Sequence, residues 1–289
     1  MPIPPQTAEA SGVPVEELLR LLDLEAAEQD HFRGDHTAVS AEIDHVFGGL
    51  VAAQALVAAG RTVAHDRHVH ALHAQFLRAG DHRVPLEYRV ERTRDGGSFS
   101  HRAVVAAQHG RTIATFSCSF ALPLHGPAHT TSAPGTPGPD TLPPDHVALA
   151  ARPEVHPTAR AVDVVELRTV PGDRPESLRL WMRAAGSVGD DPLLNAAVLA
   201  YATDLRILQP ALRPHGESLL DDASAGIHPA TLDHTVWFHE PVRTEEWMLL
   251  TADSPWAAHG RTLARGSVFD AAGRLVAEMA QEALVRFRA

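Results

Sequence analysis

The chain of 289 residues contains two copies of one short pattern, 163 positions apart. Residues 110–116 read Gly-Arg-Thr-Ile-Ala-Thr-Phe, and residues 273–279 read Gly-Arg-Leu-Val-Ala-Glu-Met. Between them, the segment from Pro123 to Pro157 holds nine of the 22 prolines. Proline fixes φ and removes a backbone donor, so this segment neither propagates a helix nor fills a central strand. The sequence therefore predicts two related halves, residues 1–122 and 158–289, joined by a Pro-rich linker at 123–157.

Each half is predicted to contain one helix followed by strands. The helices cover Phe47 to Ala59, opened by Gly48-Gly49, and Pro192 to Ile207, with Asp191 as the cap. The strand patterns begin near Val69, Leu86, Phe99 and Thr112 in the first half, and near Thr231, Trp247, Arg261 and Leu275 in the second. Strands joined by short turns form antiparallel sheets without crossover helices. The expected class is α+β, with an antiparallel sheet packed on a helix in each half. A further helix-like pattern covers Val15 to Ala27.

Composition places the chain among soluble globular proteins, with 44% apolar and 21% charged residues. A net charge of −11 argues against a nucleic-acid partner, although residues 61–120 carry nine arginines against five acids. That excess suits a smaller anionic ligand or, more simply, a solvated sheet face. No apolar run approaches the ~20 residues needed to span a bilayer. The start, Met1 to Pro5, lacks the parts of a signal peptide, and the one cysteine, Cys118, fits a reducing compartment, so a cytoplasmic protein is expected.

Two polar residues interrupt apolar rows. In the last strand, Gln281 shares one face with apolar side chains, since alternate residues of a strand point to the same side. A buried amide without a partner costs roughly 1–3 kcal/mol, so Gln281 requires hydrogen bonds. In the second helix, Asp204 follows Ala197, Ala200 and Tyr201 at helical spacing. Its carboxylate either points to solvent, near Arg206, or lies in a polar pocket.

The repeat places Cys118 at the position of Gln281. If Gln281 is functional, the first half lacks its equivalent, and one site per chain follows. Cys118 itself is expected to be a buried structural thiol, because no charged neighbour in sequence would lower its pKa.

Other signals are weaker. Four histidines lie close together in the sequence, namely His65, His68, His70 and His73. A metal site there is conceivable, but no acidic partner follows at a fixed spacing, so no metal is expected. The chain has no Gly-x-Ser-x-Gly elbow, no P-loop and no dinucleotide fingerprint. It also has no lysine, which excludes Schiff-base chemistry. The Gly96-Gly97-Ser98 stretch reads as a turn that enters a strand.

Several blocks in order resemble the type II acyl-CoA thioesterases. They are Ala230-Thr231-Leu232-Asp233-His234-Thr235-Val236-Trp237-Phe238-His239, His45-Val46-Phe47-Gly48-Gly49, Phe76-Leu77-Arg78-Ala79-Gly80-Asp81, Arg94-Asp95-Gly96 with Ser98-Phe99, and Tyr201-Ala202-Thr203-Asp204-Leu205. The resemblance covers roughly residues 40–120 and 190–289. It implies a tandem, or double, hotdog, in which each half is an antiparallel sheet wrapped around a central helix.

The resemblance also implies a function and a site. Members of this family hydrolyse acyl-CoA to a free fatty acid and CoA, without a metal or organic cofactor and without an acyl-enzyme. The family's catalytic carboxylate, hydroxyl and glutamine match Asp204, Thr231 and Gln281, all in the second half. Backbone N–H groups near Gly48 and Gly49 are candidates to polarise the thioester carbonyl. By analogy with other hotdog proteins, a homodimer or homotetramer is expected.

Two other functions stay open at this point. The first is a hotdog enoyl-CoA hydratase or dehydratase, which relies on an acid and a histidine at the helix start, where Asp44-His45 is a possible pair. The second is a non-catalytic module that binds or senses acyl-CoA. Retention of all three matched residues favours the thioesterase over this module.

Overall fold

Twelve strands form one continuous antiparallel sheet in the computed structural model, which describes residues 15–36, 45–150, 164–172, 174–219 and 227–287. The order across the sheet is β1-β2-β4-β5-β6-β3-β9-β12-β11-β10-β8-β7. Six strands of each half therefore lie side by side, and β3 pairs with β9 where the halves meet. The α+β class and the double hotdog architecture are confirmed.

The N-terminal half contains two helices and six strands. The helices are α1 (Val15–Leu22) and α2 (Gly48–Gly60), and the strands are β1 (Glu25–Glu28), β2 (His31–Gly34), β3 (His68–Phe76), β4 (Leu86–Asp95), β5 (Phe99–Gln108) and β6 (Arg111–Ala121). Alternate residues of β5 and β6 point to α2 and are buried, which is the pattern expected for a half-buried antiparallel sheet.

The remaining elements follow the Pro-rich segment. The helices are α3 (Asp145–Ala150), α4 (Pro192–Asp204) and α5 (Gln209–Leu212), with single 3₁₀ turns at Pro139–Thr141 and Arg213–His215, and the strands are β7 (Val165–Thr169), β8 (Ser177–Ala184), β9 (Ile227–Phe238), β10 (Met248–Ala258), β11 (Arg261–Phe269) and β12 (Leu275–Phe287). Asp191 caps α4 as predicted, accepting from the backbone N–H of Leu193 at 2.8 Å. In the described residues, no helix has the length and apolar character needed to cross a membrane.

The helices α2 and α4 pack against each other inside the curled sheet, in opposite directions. Small residues permit this approach. A Cβ on Gly49, near the start of α2, would lie 2.9 Å from the carbonyl oxygen of Tyr201 near the end of α4. At the other end, a Cβ on Gly60 would lie 2.5 Å from the side chain of Leu193. The start of α2 therefore meets the end of α4, where Asp204 is the last residue.

The Pro-rich segment lies along the C-terminal half in its described part. The carbonyl of Pro137 accepts from the indole N–H of Trp181 at 2.8 Å, and the carbonyl of Pro139 accepts from Arg168 at 2.8 Å. Residue 132 also bridges to the start of β12. Proline has no backbone N–H to donate, so Pro137 and Pro139 hold this segment in place through hydrogen bonds to their carbonyl oxygens.

Three expectations about element bounds are corrected. The helix expected over Val15 to Ala27 ends at Leu22, because residues 25–28 pair with β2 as a short strand. The helix expected to reach Ile207 ends at Asp204. Each half also has two strands before its long helix, β1 and β2 before α2 and β7 and β8 before α4, so the long helix does not precede all the strands of its half.

Candidate active site

Gln281 lies on the inner face of β12 and is fully buried. Its Nε2 donates to the hydroxyl oxygen of Thr231 on the neighbouring strand β9 at 2.9 Å. The amide predicted to need partners therefore has one in the matched hydroxyl. Glu278 on the opposite face is exposed, so the alternation predicted for this strand is confirmed.

A β-bulge brings Thr231 to this face. In the ladder between β9 and β12, Gln281 is opposite His234 and Ala283 is opposite Thr231, with a register shift between them. Three residues of β9 thus span two residues of β12. Without the bulge, an odd position and an even position of one strand would point to opposite faces. The bulge therefore places Thr231 and His234 on the same inner side.

His234 connects this pair to helix α4. It is almost completely buried, and its Nε2 lies 3.1 Å from the hydroxyl oxygen of Thr203, which in turn donates to the carbonyl of Ala200 at 3.0 Å. Burial lowers the pKa of the His234 imidazole, opposed by the nearby negative charge of Asp204. The imidazole is consequently neutral at neutral pH.

Asp204 is the final residue of α4 and is partly exposed. A Cβ built on Gly48 would lie 3.1 Å from its Oδ2, so the carboxylate sits directly against the first residue of α2. The positive end of a helix dipole favours a carboxylate at this place. Arg206, which would have accompanied a solvent-facing Asp204, is itself buried. The carboxylate is thus partly exposed, lies against α2 and is not accompanied by an exposed Arg206.

Gly48 and Gly49 open α2 beside this carboxylate. The residue before them, Phe47, provides no side-chain cap. The first N–H groups of a helix have no partner within the helix, so they are available to an acceptor from outside. Phe76, at the end of β3, has its ring 3.4 Å from the position of a Gly48 Cβ. The N-terminal half thus supplies an apolar wall and a set of backbone donors.

The related position in the N-terminal half has different chemistry. There Cys118 replaces Gln281, and its ladder partner Leu72 replaces His234. Gly60, the last residue of α2, corresponds to Asp204, the last residue of the equally long α4. Cys118 is fully buried, as predicted, and burial raises the pKa of its thiol to about 12.

Arg102 fills the space at that second position. It is opposite Cys118 in the ladder, where the C-terminal half has Ala264 opposite Gln281. Its guanidinium donates to the hydroxyl oxygen of Thr62 at 2.7 Å, to the Thr62 carbonyl at 2.9 Å and to Asp95 at 2.8 Å. A buried arginine therefore occupies the position beside the end of α2 where the other half has Ala264.

The histidine run lies mostly on the outer face of β3. His70 bonds the hydroxyl of Ser119 at 2.7 Å, and His73 bonds that of Thr235 at 3.2 Å. Within the described ranges, no three His, Cys, Asp or Glu side chains gather into a cluster that could hold a metal ion. Of the pair considered for a hydratase, Asp44 lies outside the described residues and His45 is exposed.

Sequence reasoning did not single out His234 or Phe76 as part of this site. Both are in segments that carried the family resemblance, but their positions at the site depend on tertiary packing. The strand pairing in the structure is what shows that His234 belongs to the site, because it is the residue directly opposite Gln281.

Two family models match the chain. One, described as the acyl-CoA thioesterase N-terminal domain, matches residues 37–121, and the other, the acyl-CoA thioesterase C-terminal domain, matches residues 132–285. The chain belongs to the type II acyl-CoA thioesterases. It is therefore a thioester hydrolase that acts on acyl-CoA.

Named relatives and a solved structure agree with this membership. The thioesterase is 38% identical to acyl-coenzyme A thioesterase 8 of Rattus norvegicus, over 92% of this chain and 88% of that protein. It is 34% identical to acyl-CoA thioesterase 2 of Haemophilus influenzae, over 93% of this chain and 97% of that protein. The crystal structure of the acyl-CoA thioesterase II TesB2 from Mycobacterium marinum superposes with a TM-score of 0.79 at 36% identity, covering 94% of this chain and 98% of the other.

Proposed function

We propose that Asp204, Thr231 and Gln281 direct a water molecule onto the thioester carbon of acyl-CoA, with no covalent acyl-enzyme. The observation that carries the proposal is the hydrogen bond between the buried Gln281 amide and Thr231, on the face of the sheet turned to the end of α4. A buried glutamine bonded to a threonine hydroxyl, next to a carboxylate that pairs with no basic side chain among the described residues, is suited to hold a polar molecule between them.

Each group has one part in the reaction. Asp204 accepts a hydrogen bond from the water and takes its proton as the water oxygen attacks the carbonyl carbon. Thr231, held by Gln281, accepts the second water proton in a hydrogen bond and fixes the line of attack. When the C–S bond breaks, the proton on Asp204 passes to the CoA sulfur. The products are a carboxylic acid and CoA thiol, and the enzyme returns to its starting state.

The start of α2 is the proposed oxyanion site. Backbone N–H groups of Gly48 and Gly49 lie beside Asp204, at the positive end of a 13-residue helix. Donors fixed in position before the reaction stabilise the negative charge that develops on the thioester oxygen. The water and the carbonyl oxygen would then meet groups on two different helices, so the site requires both halves of the chain.

Replacing Gly48 by alanine tests this arrangement. The new Cβ would lie 3.1 Å from Oδ2 of Asp204 and 3.4 Å from the Phe76 ring, so the carboxylate must move by a few tenths of an ångström. We expect kcat to fall about tenfold, because small misplacements of reacting groups are costly. The thermal midpoint is expected to stay near that of the wild type. Gly97→Ala, where a Cβ meets nothing within 4 Å, is the control; an unchanged kcat in Gly48→Ala would contradict the placement.

The reaction is tested with saturated acyl-CoAs of increasing chain length, with released CoA measured by chromatography. Gln281→Ala and Thr231→Val are each expected to lower kcat by about one hundredfold, since each removes a group that orients the water. Because the thiol of Cys118 is buried, a thiol reagent added to the native enzyme reacts only with the released CoA and measures its concentration. Full activity in both variants, with the wild type active, would refute these residue assignments. Absence of hydrolysis at every chain length in folded wild type would refute the function.

The setting of the enzyme is also part of the proposal. We propose that it acts on fatty acyl-CoA in the cytoplasm, as a homodimer or homotetramer, and that its halves divide at residues 123–157. The single buried cysteine supports a reducing compartment. Trp237, which is 39% exposed on the outer face of the central strands, supports a subunit contact there. Light scattering of the purified chain measures the subunit number directly.

A further inference from the structure

Two buried polar atoms at the site have no hydrogen-bond partner in the described structure. They are the Oε1 of Gln281 and the Nδ1 of His234. Their residues are directly opposite each other in the ladder between β9 and β12, with both side chains on the inner face. An unpaired polar atom in the interior lowers the free energy of unfolding by roughly 1–3 kcal/mol. Two such atoms at one place are unusual in a folded protein.

A half-turn of the Gln281 amide about its last bond exchanges the positions of its oxygen and its nitrogen. The amide nitrogen then takes the place of Oε1, on the side of His234, and the amide oxygen takes the place of Nε2, which lies 2.9 Å from the Thr231 hydroxyl oxygen. The rest of the chain of hydrogen bonds agrees with this direction. His234 donates from Nε2 to Thr203, and Thr203 donates to the carbonyl of Ala200. In this series the His234 Nε2–H and the Thr203 hydroxyl each have an acceptor, and the imidazole carries one proton, on Nε2.

We infer that His234 is a positioning residue, which acts through Gln281 by holding its amide oxygen toward Thr231. The inference rests on the proposed function. In this orientation the hydroxyl of Thr231 donates to Gln281, so its free lone pairs accept from the water. The water then donates one hydrogen bond to Thr231 and one to Asp204, which alone takes a proton, and its own lone pair faces the thioester carbon. In the opposite orientation, Gln281 donates to Thr231, and the Thr231 hydroxyl is left to donate to the water oxygen, where it competes with the attack.

Two further observations support this role. Burial lowers the pKa of His234, so Nδ1 keeps the lone pair that the Gln281 amide requires. In the other half, where Arg102 fills the corresponding position, both members of the pair are replaced together, by Leu72 and Cys118. The histidine and the glutamine thus occur as a unit in the half that holds Asp204.

The test is a double-mutant cycle with steady-state kinetics on an acyl-CoA that the wild type hydrolyses. His234→Leu is expected to lower kcat by about tenfold to hundredfold with little change in KM. In a Gln281→Ala background the same substitution is expected to change kcat by less than about twofold, because a residue that acts through Gln281 has nothing left to orient. Leucine occupies the equivalent buried position of the other half, so the variant is expected to fold.

Two amide variants separate positioning from packing. His234→Asn puts an amide oxygen near the place of Nδ1 and is expected to recover kcat to within about threefold of the wild type. His234→Gln puts its amide near the place of Nε2 and is expected to stay as low as His234→Leu. Circular dichroism and thermal unfolding verify folding of each variant.

The outcomes distinguish this inference from the proposed function. If the wild type is active and Gln281→Ala is impaired, but His234→Leu retains full kcat or loses it equally in both backgrounds, the inference is overturned while the function stands. Equal activity of the Asn and Gln variants also overturns it. If Gln281→Ala has wild-type activity, the proposed residue roles themselves fail.

Discussion

Asp204→Asn is expected to lower kcat by about a thousandfold, since general-base transfer contributes 10²- to 10⁴-fold and asparagine cannot take a proton. Asparagine has the same shape and still accepts a hydrogen bond from water, so KM is expected to change little. The loss corresponds to about 4 kcal/mol of transition-state stabilisation. Released CoA, measured at saturating acyl-CoA, gives kcat directly.

The control for this variant lies at the other end of the same helix. Asp191 caps α4, and asparagine caps a helix as well as aspartate, so Asp191→Asn is expected to keep both activity and stability. If Asp204→Asn keeps more than about a tenth of the wild-type kcat, Asp204 is not the base, given the size of such contributions. The neutral variant would then show that the carboxylate only orients the water.

Arg102→Met is expected to destabilise the fold by about 3 kcal/mol, because it removes a hydrogen-bonded guanidinium from a buried position and leaves the Thr62 carbonyl without a donor. Methionine keeps most of the length of the side chain, so the effect measures lost hydrogen bonds more than a cavity. The free energy of unfolding from a urea titration is the measurement. The kcat of the folded fraction is expected to stay unchanged, since Arg102 bonds Thr62 at the far end of α2 from Gly48 and Gly49.

Arg265 provides the matched comparison on the related strand β11. It pairs with Asp253 at 2.9 Å, with side-chain exposures of 62% and 43%. An exposed pair contributes about 0–1 kcal/mol, so Arg265→Met is expected to have a small effect. Similar losses in both variants would mean that Arg102 contributes no more than a surface arginine, against the interpretation of a filled second position.

The long strands of the meanders could be predicted closely from the sequence. Their glycine turns and alternating apolar residues are local signals, and the predicted starts at Leu86 and Phe99 coincide with the starts of β4 and β5. The short edge strands could not be predicted in this way. Residues 25–28, Glu-Ala-Ala-Glu, favour a helix by propensity, and they form a strand only because β2 provides a pairing partner.

The residues of the candidate site also fall into two groups, those that local sequence patterns indicate and those that depend on strand pairing. Gln281 was apparent because a single amide interrupts an apolar row, and Asp204 because a carboxylate follows an apolar helical face. Thr231 was not, since periodicity alone assigns it to the wrong face of β9, and only the bulge corrects this. The resemblance supplied that residue. The contacts of His234 and Arg102 depend on which strands become neighbours, which is long-range information that no local pattern contains.

Covalent linkage of the two halves has a consequence for how such a protein can change. In a symmetric homodimer of single halves, every substitution would occur twice. An arginine buried beside the end of one helix would therefore also be buried beside the end of the other. Here a mutation alters one half alone. The first half can therefore carry a buried, hydrogen-bonded Arg102 where the second half has Ala264, while its Gly48, beside Phe76, still lies against Asp204 of the second half. Because the two halves are joined in one chain, they can differ in sequence. One half can then stabilise the fold with a buried arginine while the other carries the three proposed catalytic residues.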